Sequence, residues 1–419
     1  MSRIRAGVFA VALLLPAVLV LGYGLAGSTG NSLATGVVIA ALIGVLALTT
    51  LRRPDGLQPG DLAFAAMVAA VAISTWTAPA PRNEMIAMAL TLASYVAARN
   101  LSLADLPALR ASIIMLAGAV TAIGTPLTAI ALVEQWSDPH GHPIVLGLPS
   151  AATMLAIAAG YLAIAATTDR LDRRRTIIWC VVLFVPVAVL AASQIRFALM
   201  AALGAVLVAA VVQPEARQRR GALVLALAIV LATACGLASR HQTSAKFMNQ
   251  FRAVAEAATQ SVIPSAAAAS SYVPAHDARI ECGIEADNSL AIRKALIREA
   301  LTLAQQAGPF GFGLDGFLAR SCLGMVPHNV ILQALIETGW IGGAALALMM
   351  AVAAWRLLPL ARQNPSTAFL FCTLAYAIAL SMVHGRLSRQ GDLFLLLGAA
   401  TGAVASQTAP RRGEGTQTT

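Results

Sequence analysis

The sequence predicts an all-α polytopic membrane protein of about twelve transmembrane helices with one long loop outside the membrane, a GT-C-like architecture. Three observations predict it. The chain is 58% hydrophobic and 11% charged, with a mean hydropathy of +0.76. A soluble domain of 419 residues has no interior large enough to bury so much apolar sequence. Apolar runs of ~17–25 residues recur along the chain, and the basic residues stand in short clusters between them, as expected of charge held on the cytoplasmic side of a membrane. The net charge of +10 therefore marks orientation. Nucleic acid is not an expected partner, because that requires a contiguous basic face.

The runs fall at 6–26, 32–50, 61–78, 84–98, 109–133, 144–167, 176–192, 197–213 and 222–238, then 330–354, 366–383 and 391–407. The first is too long for the apolar core of a signal peptide and is followed at once by further runs, so it is read as a retained span. The linkers LRRPDG at 51–56, ARNLSLADLPALR at 98–110, DRLDRRR at 169–175, PEARQRR at 214–220 and RLLPLAR at 356–362 fall on one side if the spans alternate. That side carries the Arg excess and both termini, with a tail at 408–419, so it is expected to be cytoplasmic. The opposite side, the periplasm of a bacterial cell, receives TAPAPRN at 77–83, EQWSDPHGHP at 134–143, SQIR at 193–196, the long segment 239–329 and HGRLSRQGD at 384–392. Sequence thus divides into spans one to nine over 1–238, a loop over 239–329 and spans ten to twelve over 330–407.

A loop as long as 239–329 is rarely idle. Its first part has amphipathic helical spacing, its middle (IPSAAAASSYVPAHD) is of low complexity, and 288–306 has apolar residues at helical spacing. GPFGFGLDGF at 308–317 is then a glycine-broken turn. No strand precedes it and no GK[ST] follows, so a nucleotide loop is not supported. Cys180, Cys235 and Cys372 lie in or at the ends of spans and read as packing residues. Cys282 and Cys322 both lie in the long loop, where an oxidising compartment permits a bridge between them.

Three basic residues converge on the loop side. Arg196 closes SQIR at the mouth of one span, Arg293 opens the loop helix, and His328 stands where PHNVILQALIETGWIGG re-enters the bilayer. Arginine suits pyrophosphate, since its planar fork bonds two oxygens at once. Histidine suits proton transfer near neutral pH. Each also has an ordinary reading: Arg196 as a snorkelling interfacial residue, Arg293 as a solvated helix residue near Glu299, and His328 beside the true helix cap, Asn329. Glu337 lies deeper on the same helix as Asn329, as a buried partner or part of the site. Arg386 and Arg389 are expected to add positive charge near the cleft. His140 and His142 are close enough for a metal, but no carboxylate or cysteine cluster completes a set, and no cofactor is expected.

The run from GPFGFGLDGF to PHNVILQALIETGWIGG resembles the C-terminal module of the O-antigen ligase and polymerase superfamily. Arg293, Gly311, Gly313, Phe317, His328, Asn329, Leu332, Leu335, Glu337, Gly339 and Gly342 occupy matching places, and SQIR resembles that family's Ser-x-x-Arg element. The resemblance implies a metal-independent membrane glycosyltransferase that takes a glycan from undecaprenyl pyrophosphate at the periplasmic face of the inner membrane. The acceptor is the lipid A core for a ligase, or another lipid-linked repeat for a polymerase. Arg196 and Arg293 would hold the pyrophosphate, and His328 would take or orient the acceptor hydroxyl. Asn329, Glu337, Gly311, Gly313, Arg386 and Arg389 would line the substrate site. The rival class is a transporter of lipid-linked saccharides, which should carry ionisable residues in mid-span or two related halves; neither is evident.

Overall fold

A computed structural model describes residues 2–27, 32–49, 56–136, 143–148, 151–169, 172–240, 289–383 and 386–408. The described residues are helical almost throughout, and their sole β feature is an isolated bridge between Val145 and Leu148. In chain order the helices are α1 (Ser2–Leu13), α2 (Leu15–Leu25), α3 (Ser32–Thr49), α4 (Pro59–Thr77), α5 (Arg82–Ala98), α6 (Leu106–Glu134), α7 (Ala151–Thr168), α8 (Arg173–Ala192), α9 (Arg196–Val212) and α10 (Ala216–Ser239). After the residues that lie outside the description come α11 (Ser289–Gln306), α12 (Val330–Glu337), α13 (Gly339–Ala361), α14 (Pro365–Ser381) and α15 (Gly391–Thr408). The boundaries follow local chemistry. Pro59 and Pro365 sit in first turns, where the missing N–H costs nothing. The side chains of Asp172, Asn329 and Asn364 accept from first-turn amides at 2.7, 3.0 and 2.8 Å.

Among the described residues six helices, α4, α6, α7, α8, α10 and α13, are long and apolar enough to cross a membrane, and the α1–α2 pair makes up to seven. Helices α3, α9 and α14 are shorter apolar helices, and α5 and α15 fall outside both groups. Every expected run overlaps a helix, but 144–167 is helical only from Ala151, after the Val145–Leu148 bridge, and two further runs are broken. The run 6–26 bends by 72° between α1 and α2. The run 330–354 divides between α12 and α13, because Thr338 and Gly339 leave the helical path there and Gly339 takes φ +76°. The apolar helix therefore begins at Gly339 rather than at Val330.

Helix α7 is the axis of the bundle: 83% of its apolar window is buried, against 33% for α6 and α8. Its face is mostly alanine, and neighbouring helices approach it closely. Tyr161 of α7 meets Tyr376 of α14 edge-on, with centroids 5.4 Å apart. At one end of the bundle, Asp61 receives both Nε and Nη2 of Arg99 at 2.7 and 2.8 Å, and Arg5 pairs with Asp105. At the other end the first residues of α5 and α9, the last of α4 and α14, and the whole of 308–330 come together.

Candidate functional site

The second end is built on α11. Leu296, Ala300 and Ala304 line one face of α11 at intervals of four, and they pack with Phe317 and Ile336 as a satellite core. This core ties α11 to the glycine turn and to α12. The turn docks through main chain. Phe312 and Gly313 donate their amides to the carbonyls of Ile336 and Glu337 at 2.9 and 3.0 Å, and Trp340 donates to the carbonyl of Gly308 at 3.0 Å. Such contact needs bare backbone on both sides. Gly311 holds φ +74°, and a Cβ there would strike the Glu337 carbonyl; a Cβ on Gly339 would strike the Pro309–Phe310 peptide. The glycines of both motifs therefore let two chain segments touch.

His328 stands immediately before the α12 cap, with φ +53°, a backbone region that non-glycine residues seldom enter and that is costly outside special sites. It is half-buried and makes no hydrogen bond among the described residues. Burial, and then the positive charge of Arg293, hold its imidazole below the ordinary value of 6.5, so it is mainly neutral at neutral pH and able to accept a proton.

Arg293 points from α11 toward α9 and the end of α14. Its guanidinium lies 3.9 Å from the centroid of the Phe197 ring, and its Nη1 donates to the carbonyl of Val383 at 3.3 Å. No carboxylate among the described residues pairs with it. Its charge is thus held by a π face and a carbonyl without being neutralised. Glu299, a neighbour considered from sequence, instead accepts from Ser321 Oγ at 2.9 Å and the amide of Cys322 at 2.7 Å. Arg196 precedes Phe197 and begins α9. Gln194 takes φ +62° and accepts from Arg196 Nη2 at 3.0 Å. The contact with Phe197 sets Arg293 against the first turn of α9, which Arg196 begins, and the charge of Arg293 is felt at His328.

The remaining expected residues divide. Asn329 caps α12. Glu337 is 2% exposed; its Oε1 accepts from Gln333 Nε2 at 2.9 Å, and burial pushes its carboxyl up to about 8. Arg386 and Arg389 do not stand as loose positive charge. Arg386 is bonded to Asp315 and lies 3.1 Å from Glu84, and Arg389 lies 3.2 Å from Glu84. Cys322 is disulfide-bonded; Cys282 lies outside the described residues, as do His140 and His142. Among the described residues no group of three or more His, Cys, Asp or Glu side chains is placed to hold a metal. Sequence reasoning passed over Phe197, Glu84, Asp315 and Gln333. The one available signal was Glu84, a carboxylate at the mouth of an apolar run.

Fold and site define an integral membrane protein whose helix ends gather cationic side chains and a neutral histidine at one end of a bundle. Residues 179–347 match the family model described as O-antigen ligase. The match supports a likeness of this stretch to the O-antigen ligase and polymerase superfamily, and the stretch contains Arg196, Arg293, the glycine turn, His328 and Glu337. No curated protein and no solved structure matches the chain.

Proposed function

We propose that this chain transfers a glycan from undecaprenyl pyrophosphate to an acceptor hydroxyl at the periplasmic face of the bacterial inner membrane, as an O-antigen ligase or polymerase. The observation that carries the reading is the guanidinium of Arg293, half-buried yet unneutralised by any described carboxylate, with an unprotonated histidine within reach of its field. A buried positive charge without a counter-ion is costly, and an anionic substrate supplies the missing partner. Arg196 and Arg293 hold the pyrophosphate and stabilise the charge that develops as the glycosyl bond breaks. His328 accepts the proton of the attacking hydroxyl. Supporting the orientation, the connections that meet at this end are those that alternating spans assign to the periplasm, and the Arg99–Asp61 and Arg5–Asp105 pairs gather the other set.

The test is the surface-glycan profile of a deletion strain complemented with the wild-type gene, His328→Ala or Arg196→Ala, at matched membrane levels. Variants that insert normally and leave the glycan unrestored support the transferase. Long lipid-linked chains beside a bare core identify a ligase, and single capped units identify a polymerase. A normal profile from both variants overturns the assignment in favour of transport.

A further inference from the structure

The short turn between α14 and α15 touches α11, α12, the glycine turn and α5. Through the carbonyl of Val383 it receives Arg293 of α11. Through the amide of Leu387 it donates 3.0 Å to Gln333 Oε1, in the middle of α12. Through Arg386 it bonds Asp315, which sits in the glycine turn at φ +64°. The same guanidinium reaches Glu84 at the start of α5, a carboxylate only 2% exposed that also accepts from Ser388 Oγ at 2.5 Å and pairs with Arg389. Thr91 of α5 completes the attachment by donating to the carbonyl of Ser388 at 2.7 Å. Two guanidinium groups face two carboxylates, so the cluster brings no net charge to the cleft. A side chain bonded to Asp315 and held 3.1 Å from the buried Glu84 as an ion pair is poorly placed to serve a substrate, because releasing it takes from Glu84 its nearest cation. What such an arrangement does well is hold position: the bond to Asp315 is directional, and the charge contact with Glu84 is buried and weakly screened.

We propose that Arg386, clamped between Glu84 and Asp315, is a positioning residue for the transfer: it locks the glycine turn and α12 in register with Arg293 and so sets where His328 stands. The proposal rests on the function given above, and it assigns Arg386 to the frame of the site rather than to the pyrophosphate.

The experiment uses the full chain in lipid nanodiscs with an undecaprenyl-pyrophosphate-linked glycan as donor. Arg386→Gln, Arg386→Lys, Asp315→Asn and the neutral double variant Glu84→Gln/Arg386→Gln are compared with wild type. The double variant avoids an unpaired buried carboxylate and guards against loss of folding. We expect kcat to fall ~10- to 100-fold in Arg386→Gln and in the double variant, as displacement of a reacting group by about an ångström does. KM for the donor should stay within about twofold, Arg386→Lys should recover part of kcat, and the acid limb of the pH profile should move as His328 shifts relative to Arg293. Amide hydrogen exchange over 311–317 and 328–333 should quicken in both variants. A rise in donor KM with kcat unchanged, or unaltered exchange in a folded Arg386→Gln protein, overturns the proposal. If the wild type transfers nothing, the functional reading fails, and the exchange measurement alone still decides whether Arg386 holds these segments.

Discussion

The guanidinium of Arg293 lies over the ring of Phe197, 3.9 Å from its centroid. One residue comes from the loop helix and the other from the first turn of α9, so the contact joins the two helices that carry the arginines expected to hold an anion. Substitution of Arg293 by Gln should raise KM for a pyrophosphate-linked donor by ~10- to 100-fold, the scale of charge-assisted hydrogen bonds. Arg293→Lys should fall between, because an ammonium keeps the charge and loses the planar group over the ring. Phe197→Leu should reproduce part of the Lys effect. Steady-state kinetics with purified donor measure all three.

For His328 the chemistry and the backbone can be separated. His328→Gly suits the φ of +53° better than histidine does and should fold at least as well as wild type. It nevertheless lacks the imidazole, and transfer should drop by ~100- to 10,000-fold. Equal thermal stability with lost activity is the expected pair of results; an active Gly variant would remove His328 from the reaction.

The pH dependence follows in sign from the same residue. Burial and Arg293 hold the His328 imidazole below 6.5, so activity should be fully present at neutral pH and be lost as pH falls through a value under 6.5. In Arg293→Gln one of the two depressing influences is gone, so the acid limb of the residual activity should move upward. A pH–rate profile of both proteins checks the direction.

Glu337 should influence stability in the opposite range. Its carboxyl titrates near 8 in the folded protein against an ordinary 4.5, so the native state binds the extra proton between those values. Stability contributed by the protonated form is complete below 4.5 and declines as pH rises toward 8. Glu337→Gln keeps an acceptor for Gln333 and removes the titration. Its melting temperature should therefore be nearly flat over this range and exceed that of wild type by several degrees above pH 8.

The glycines of the docked turn allow a test of architecture. Gly311→Ala and Gly339→Ala each combine a positive φ with a collision against main chain, which cannot swing aside as a side chain can. Each should destabilise by ~1–3 kcal/mol or more, whereas Gly308→Ala, whose Cβ meets nothing within 4 Å, should pay only for its φ of +65°. Melting in detergent ranks the three.

Membrane class and helix positions were legible in the sequence because lipid imposes length and apolarity on every span. Arg196, Arg293, His328 and the glycines were legible as residue types in a recognisable order. Three things were not. The break at Gly339 hides inside an unbroken apolar run, since hydropathy is blind to backbone path. Phe197 reads as one more apolar residue of α9 until Arg293 is placed over it. Arg386 and Arg389 read as loose loop charge because Glu84, their counter-ion, lies some three hundred residues away in sequence at another helix mouth. Spacing exposes neighbours on one helix, and these are pairings between helices.

The end of α12 carries a final consequence. Helix C-termini ordinarily leave carbonyls that recruit solvent. Here the carbonyls of Ile336 and Glu337 are met by the amides of Phe312 and Gly313, and Ser74 Oγ adds a further donor to Glu337. These two carbonyls, one short helix away from His328, are met by donors of the protein itself. An activated lipid-linked sugar can be lost to hydrolysis as readily as it can be passed to a sugar hydroxyl. For a catalyst of the kind proposed, peptide groups thus occupy acceptors near the site that could otherwise hold water, and most side-chain substitutions leave those peptide groups in place.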